Sequence, residues 1–427
     1  MRRRGGAYDG RAERAADVRR ARRSSEGWTR PVTRPAEKKK VLLLQDGLEP
    51  GGGRAAVAAW MIEALKREYD LSVLTWSQPD VHRLNRFYGT SLRRSDFSAH
   101  WVPWLVRRLF ELDPDPGSVQ RLSLLMRVSR IVKGKYDVLI TASGEVDFGR
   151  RGIQYVYFPL LHRHHAMWRS VRGLPWHGRL WALLRGRYRP WMLLSGYSFD
   201  DMTNNLTLVV SEWTRSRFRE SYGAEATTVY PPVPGGFPDV PWAERENGFV
   251  CIGRISREKR LEQMIDILSK VREHDQDTHL HIIGNPIAPW SYYHDLRRRV
   301  QEHASWVFLH ENVSRGEMTE LVARHRYGIH AKPDEHFGIA VAEIVKAGCI
   351  VFVPNDGGQV EIVGGDDRLL YRSAEDAVAK ILRVMKDPDE QAALRRHLDS
   401  RRHLFSTEEF VRRIQDVVRQ FLAERRG

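Results

Sequence analysis

The chain has 427 residues, and 69 Lys and Arg against 54 Asp and Glu give a formal charge of +15. That length suits two ordinary domains, and the lack of any run of about 18 apolar residues excludes a membrane-spanning helix. The two cysteines, Cys251 and Cys349, each lie inside an apolar run, which excludes a disulfide scaffold and a cysteine-based zinc site and fits a reducing cytosol.

The first 40 residues hold 14 Lys or Arg, five Asp or Glu and almost no aliphatic residue. Residues 1–38 therefore read as a disordered basic tail; a start assigned upstream of the true one, near Lys38, is the alternative. Lys40 to Gln45 (KVLLLQ) is an unbroken apolar run, as in a buried parallel strand. A loop, Asp46 to Gly53, precedes Val57, Trp60, Met61, Ala64 and Leu65, which mark one face of a helix. Leu71–Trp76, Tyr136–Ser143, Ile153–Phe158 and Leu206–Ser211 read as further strands. Tyr230 to Pro241, with five prolines and two glycines, reads as a linker. The alternation then resumes. Gly248–Ile252, His279–Gly284, Trp306–Leu309, Tyr327–Ala331 and Ile350–Val353 are the next strands. Leu261, Met264, Ile265 and Leu268 mark a helix, and Thr407–Arg425 is an amphipathic one. The pattern predicts two Rossmann-like, doubly wound α/β domains, 39–230 and 242–405, joined by residues 231–241 and followed by a helix in 406–427. Ligands on such sheets sit beyond the carboxyl ends of the strands, so two facing sheets make a cleft suited to a two-substrate reaction.

The most informative stretch is Lys332 to Val353 (KPDEHFGIAVAEIVKAGCIVFV). Glu335 precedes a helix opened by Phe337 and Gly338, and Glu343 lies inside it. The first amides of that helix, Phe337 to Ile339, are donors for anionic oxygens, and carboxylates accept from paired sugar hydroxyls. Taken alone, Glu335 as a cap and Glu343 as a solvated face residue would explain both. The flanking pattern adds more. Glu335-His336-Phe337-Gly338 followed by Glu343 resembles the E-x7-E signature of retaining glycosyltransferases of the GT-B fold, family 4. Gly253-Arg254 with Lys259, His281 to Pro286 (HIIGNP), Gly357-Gly358 with Glu361, Gly51-Gly52-Gly53, Ser211 to Thr214 and Tyr230-Pro231-Pro232 resemble the family's other motifs, in order, from residue 39 to the end. Within the family, EHFGI, the triple glycine and YPP resemble lipid-linked oligosaccharide α-1,2-mannosyltransferases.

The resemblance implies a role for each residue. Arg254 and Lys259 would neutralise the donor diphosphate, as positioned cations do best in a dry cleft. Glu335 would hold donor-sugar hydroxyls, the amides of Phe337, Gly338 and Ile339 the sugar or phosphate, and Glu343 the ribose. Asn285 would border the donor site, and Gly51, Gly52 and Gly53 would let backbone approach the diphosphate. The final helix would cross back to the first domain. Departures are Lys332-Pro333-Asp334 in place of a small hydroxyl residue after the proline, Ile344 to Lys346 for Ala-Met-Ala, and Val360 for a proline.

Three Asp-x-Asp triplets, Asp113/Asp115, Asp275/Asp277 and Asp387/Asp389, follow no apolar strand and read as turns. No cofactor and no structural or catalytic metal is expected; a GDP- or UDP-sugar is a substrate. His162, His164 and His165 have poor spacing for a metal. Two readings of His162 stay open: a residue at the acceptor hydroxyl, catalytic in proton transfer, and a basic loop histidine. From Phe148 to Phe199 there are nine arginines and no Asp, Glu or Lys, with Trp168, Trp176, Trp181 and Trp191 among them. That interleaving reads as a contact with an anionic membrane surface, and Trp101 to Leu105 with Arg107 and Arg108 as a smaller one. The expected protein is cytoplasmic and peripheral on the inner membrane face, with a nucleotide-sugar donor, a glycan or lipid-linked acceptor and no nucleic-acid partner. The competing readings are a GT-B epimerase-type enzyme and, from another class, a basic nucleic-acid-binding protein.

Overall fold

The computed structural model describes residues 38–49, 52–111, 118–161, 195–287 and 290–425. The tail 1–38 lies outside these but for Lys38, as do Gly51, Asp113/Asp115, His162 and nearly all of the arginine–tryptophan stretch.

Two wholly parallel sheets carry the described chain. The first contains β1 (Lys40–Gln45), β2 (Asp70–Thr75), β3 (Ser98–Trp101), β4 (Val138–Thr141), β5 (Ile153–Val156), β6 (Leu206–Val209) and β7 (Thr227–Thr228), ordered β3-β2-β1-β4-β5-β6-β7. The second contains β8 (Glu246–Ile252), β9 (Leu280–Ile283), β10 (Val307–His310), β11 (His325–Ile329), β12 (Ile350–Pro354) and β13 (Leu370–Tyr371), ordered β10-β9-β8-β11-β12-β13. Each order reverses after its first strand, at β1/β4 and β8/β11. Those switch points are where adjacent loops splay apart and leave a crevice. β1 keeps the bounds expected from its apolar run because helices cover both of its faces, and only Lys40 in it is exposed. Three strands went unforeseen. β3 (SAHW) is a largely exposed edge, and β7 and β13 are two residues each, too short for any periodicity.

The segment between the domains is tied down along its length. Lys346 Nζ donates to the Val233 carbonyl at 2.7 Å and Arg315 Nη2 to the Pro234 carbonyl at 2.7 Å. Gly235 has φ +93, and a Cβ there would stand 2.9 Å from Arg315.

The final helix, Thr407–Glu424, packs on the first domain. Phe410, Ile414, Val418 and Phe421 recur at helical spacing and are buried. Gln415 Nε2 donates to the Ala64 carbonyl at 2.9 Å, at the end of helix Gly53–Leu65, and Arg419 pairs with Glu68 at 3.0 Å. Covered by β-sheet on one side and by this helix on the other, Gly53–Leu65 is apolar nearly all round. Replacing the fully buried Ile414 by alanine should cost about 2–5 kcal/mol. Urea unfolding checks it, and an unchanged midpoint would show the helix to be dispensable.

Candidate active site

At the second switch point, β8 ends in Gly253-Arg254 and β11 runs into the loop from His330 to Gly338. These two loops bring together residues far apart in sequence. Lys259 Nζ lies 2.6 Å from Glu335 Oε2, and the two side chains are only 13% and 15% exposed. His330 Nε2 lies 3.3 Å and Lys332 Nζ 3.9 Å from the same oxygen. Burial by itself would raise the Glu335 carboxyl, but His330 and the Lys259 ammonium outweigh it and hold the group well below its ordinary value of 4.5. Glu335 is thus a fixed anion. The His330 ring is 2% exposed, and burial lowers it toward the neutral form. Its Nε2, although near Glu335, has no hydrogen bond of good geometry.

The glycine pair of the next loop holds this arrangement by backbone contacts. Gly358 N–H donates to the Glu335 carbonyl at 2.7 Å, and Asp356 accepts from the amides of Asp334 and Gly357. Gly357 has φ +79, and a Cβ there would stand 2.5 Å from the Glu335 carbonyl oxygen. The helix Ile339–Lys346 starts at Gly338 (φ +103) with no capping side chain, so its leading amides are available to an anion. Across the cleft, Gly53 opens its helix so close to this one that a Cβ would stand 2.7 Å from Ile339 Cδ1. Gly52 is fixed by the Tyr88 hydroxyl, which donates to its carbonyl at 3.0 Å. Beside it, Asp46 pairs with Arg54 at 3.1 Å.

Other expected site residues sit differently. Arg254 is exposed and pairs with Glu258 at 2.9 Å, so it stands at the site without joining the Lys259–Glu335 pair. Asn285 follows β9 and spends its side-chain oxygen on the Asn312 amide at 2.7 Å. Glu343 is buried and ion-paired to Arg315, which also reaches the linker. The Phe337 ring packs against Tyr230 and Phe405, so only its backbone faces a ligand role. Of the Asp-x-Asp triplets, Asp275 accepts from the amide of Asp277 in a turn, and Asp387 caps the helix Pro388–Arg401.

His330, and the pairings made by motif residues Glu361, Ser211 and His336, escaped the sequence reading. His330 was taken for a strand residue; the sign was its place at the end of an apolar run beside a switch point. Glu361 of the Gly-Gly loop accepts from the amides of Glu212 and Trp213 at 2.9 and 2.8 Å, at the start of a first-domain helix. The His336 carbonyl accepts from Ser211 Oγ at 2.6 Å, and its ring stacks on Phe158 at 4.7 Å. The two domains are therefore clasped next to Glu335. In this state Lys259 and Glu335 satisfy one another. A ligand with a diphosphate and a hydroxylated ring would offer each a partner, with the helix amides and the Gly52-Gly53 backbone as neutral walls.

Residues 237–400 match the family described as Glycosyl transferases group 1. A Dictyostelium discoideum protein named GDP-Man:Man(3)GlcNAc(2)-PP-Dol alpha-1,2-mannosyltransferase is 26% identical over 193 residues, 39% of this chain and 37% of its own length. Sucrose-phosphate synthase from Thermosynechococcus elongatus superposes with a TM-score of 0.64 at 15% identity, covering 91% of this chain and all of that one. Anabaena HepE, in complex with UDP-glucose, gives 0.60 at 13% identity over 90% of this chain and all of its own. WaaG, a glycosyltransferase involved in lipopolysaccharide biosynthesis, gives 0.60 at 15% identity over 88% of this chain and 99% of that one. The chain carries a glycosyltransferase group 1 domain within a GT-B glycosyltransferase fold.

Proposed function

We propose that this protein is a retaining glycosyltransferase of the family 4 type. It moves a sugar, with mannose preferred, from a nucleotide-sugar to a glycan or lipid-linked acceptor at a membrane surface. The observation that carries the reading is the ionised Glu335 held by Lys259 at the second switch point, next to a helix whose Ile339 meets Gly53 across the cleft. The donor diphosphate takes Lys259, with Arg254 swinging from Glu258 to join it, and the helix amides at Ile339. Its charge rises as the glycosidic bond breaks, and the two cations, once turned from their carboxylates, and the helix amides meet that charge. Glu335, released from Lys259, accepts from the sugar hydroxyls. Glu343 takes the ribose once Arg315 gives way, and Asn285 borders the nucleotide. His162, which follows the apolar run IQYVYF in sequence, would receive the proton of the acceptor hydroxyl. None of these steps calls on a metal, so transfer is expected to persist with Mg²⁺ and Mn²⁺ withheld.

Mannose and GDP are supported by the matching segment of the Dictyostelium enzyme and by the EHFGI resemblance. Thermal melts with GDP and UDP, followed by transfer of labelled mannose from GDP-mannose to a membrane-lipid extract, test the reading. Stabilisation by GDP with label in the lipid fraction is expected. Stabilisation by neither nucleotide, with no transfer from GDP- or UDP-sugars, would overturn it.

The membrane part rests on an exposed patch of the first domain. Trp101, Trp104 and Leu105 are 42%, 60% and 61% exposed, and Arg108 on the same helix, Trp104–Glu111, is exposed too. Trp at headgroup depth beside arginine suits an anionic leaflet. No helix among the described residues is long and apolar enough to cross a membrane. Trp104→Asp with Leu105→Ser should reduce co-sedimentation with anionic vesicles several-fold. Equal binding of wild type and variant, or of anionic and neutral vesicles, would remove this surface from the account.

A further inference from the structure

At the amino-terminal edge of the second sheet, away from the donor loops, four side chains converge: Glu246 at the start of β8, His279 just before β9, His281 on β9, and His325 at the start of β11. One ligand atom from each lies within 4.8 Å of every other. His279 Nε2 and His325 Nε2 are 3.2 Å apart, and Glu246 Oε2 lies 3.3 Å from the first and 3.8 Å from the second.

Hydrogen bonds on the far side of each ring decide what these contacts are. His279 Nδ1 lies 3.1 Å from the Asp277 carbonyl and His325 Nδ1 lies 2.7 Å from the Leu321 carbonyl. A carbonyl only accepts, so each Nδ1 carries a hydrogen, and a ring without a second proton points an Nε2 lone pair inward. Two lone pairs at 3.2 Å repel unless a cation lies between them. His281 Nδ1 lies 2.8 Å from His310 Nε2, and when His310 accepts there the other His281 nitrogen is free to coordinate. Metal-binding histidines are characteristically oriented by such a partner on the second nitrogen. The backbone makes room for the group as well. A Cβ on Gly248 would stand 2.1 Å from His279 Nε2.

We propose that Glu246, His279, His281 and His325 bind one divalent transition-metal ion, Zn²⁺ by ligand chemistry. Imidazoles with one carboxylate suit zinc. A tetrahedral zinc with bonds of about 2.0–2.1 Å sets its ligand atoms about 3.3 Å apart; the 3.2 and 3.3 Å separations already meet that, while the 3.8 Å one and those of His281, within 4.8 Å, close by a small side-chain shift. Glu246 is half exposed and gives the ion a way in. The ion joins β9, β8 and β11, the three strands whose other ends carry the donor loops. It lies a strand length, roughly 20 Å, from Glu335, so it braces the domain and takes no part in transfer. This goes beyond the transfer reading and departs from the sequence-based expectation of no structural metal.

The test uses the untagged full-length chain, stripped by chelator, dialysed into metal-free buffer and then given one equivalent of Zn²⁺. Retention of about one zinc per chain after desalting is expected, with a melting temperature about 5 °C or more above the metal-free protein. Co²⁺ in place of zinc should give the visible absorption of a tetrahedral site. Because buried His325 variants risk misfolding, the paired control is His279→Gln with Glu246→Gln, both at the rim. That double variant should melt cooperatively and retain less than a tenth of the zinc. Sub-stoichiometric zinc on the wild type, or equal retention by the double variant, overturns the proposal and leaves a proton shared between His279 and His325. Sugar transfer is not a readout, so a failed zinc site leaves the transfer reading standing.

Discussion

Lys259→Ala is expected to lower kcat/KM for sugar transfer by about 10³-fold or more while the chain still folds. The ammonium has two duties in sequence. Before the donor arrives it balances Glu335, whose side chain is only 15% exposed. After that it meets the diphosphate, whose charge grows toward the transition state. Loss of a preorganised donor aimed at developing charge costs about 10²–10³-fold in related cases, and this one carries a full charge. The fold should tolerate the change because His330 and Lys332 remain beside Glu335. Lys259→Arg keeps the charge but replaces a point by a planar fork, so partial recovery is expected. Glu335→Ala should be as damaging through lost sugar contacts. Steady-state kinetics with a circular-dichroism melt of each variant decides, and near wild-type turnover in either would remove the pair from the chemistry.

The same pair sets a sign for pH. The Glu335 carboxyl titrates below its ordinary 4.5 in the folded chain, so its contribution to stability is complete above 4.5. That contribution is lost only as pH falls through the lower folded value. The melting-temperature gap between wild type and Glu335→Gln should therefore stay constant from pH 5 to 8, within the window where the carboxylate is charged in both states.

Most of the fold was legible because buried parallel strands write themselves as apolar runs. Lys40–Gln45 and Leu206–Val209 could be read directly, whereas Ser98–Trp101 could not, since an exposed edge strand has no apolar face to show. The site was legible only in part. Motif spacing pointed to Glu335 and Lys259 separately, but they stand 76 positions apart in sequence, and only the strand order brings them to one crevice. The Glu361 clasp and the Arg315 grip on Glu343 are tertiary pairings with no local trace. The histidine cluster hid for the same reason. It is spread over separate strands, so each member reads alone as an ordinary strand histidine.

Gly284→Ala is expected to be as severe as loss of Lys259, by another route. An added Cβ would stand 1.7 Å from the Gly253 carbonyl oxygen, where backbone meets backbone and no rotamer can move aside. Both peptides are committed in the sheet. Gly253 N–H donates to the Ile283 carbonyl and Gly284 N–H to the His310 carbonyl, each at 3.0 Å. The carboxyl ends of β8 and β9 must therefore part, and they carry Arg254 and the turn that delivers Lys259, whose Cε lies 3.7 Å from the Cβ position of Gly253. A loss of about 3 kcal/mol or more is expected, since neither backbone can relax without breaking a ladder bond. Transfer should fall with it, because a misplacement of about 1 Å at reacting groups costs on the order of 10²-fold. Gly236→Ala is the control, as its Cβ meets nothing within 4 Å and should change stability by less than about 0.5 kcal/mol. Urea unfolding and transfer kinetics of the two alanine variants separate the cases. A Gly284→Ala protein as stable and active as Gly236→Ala would mean the two strand ends are not packed together at the donor site.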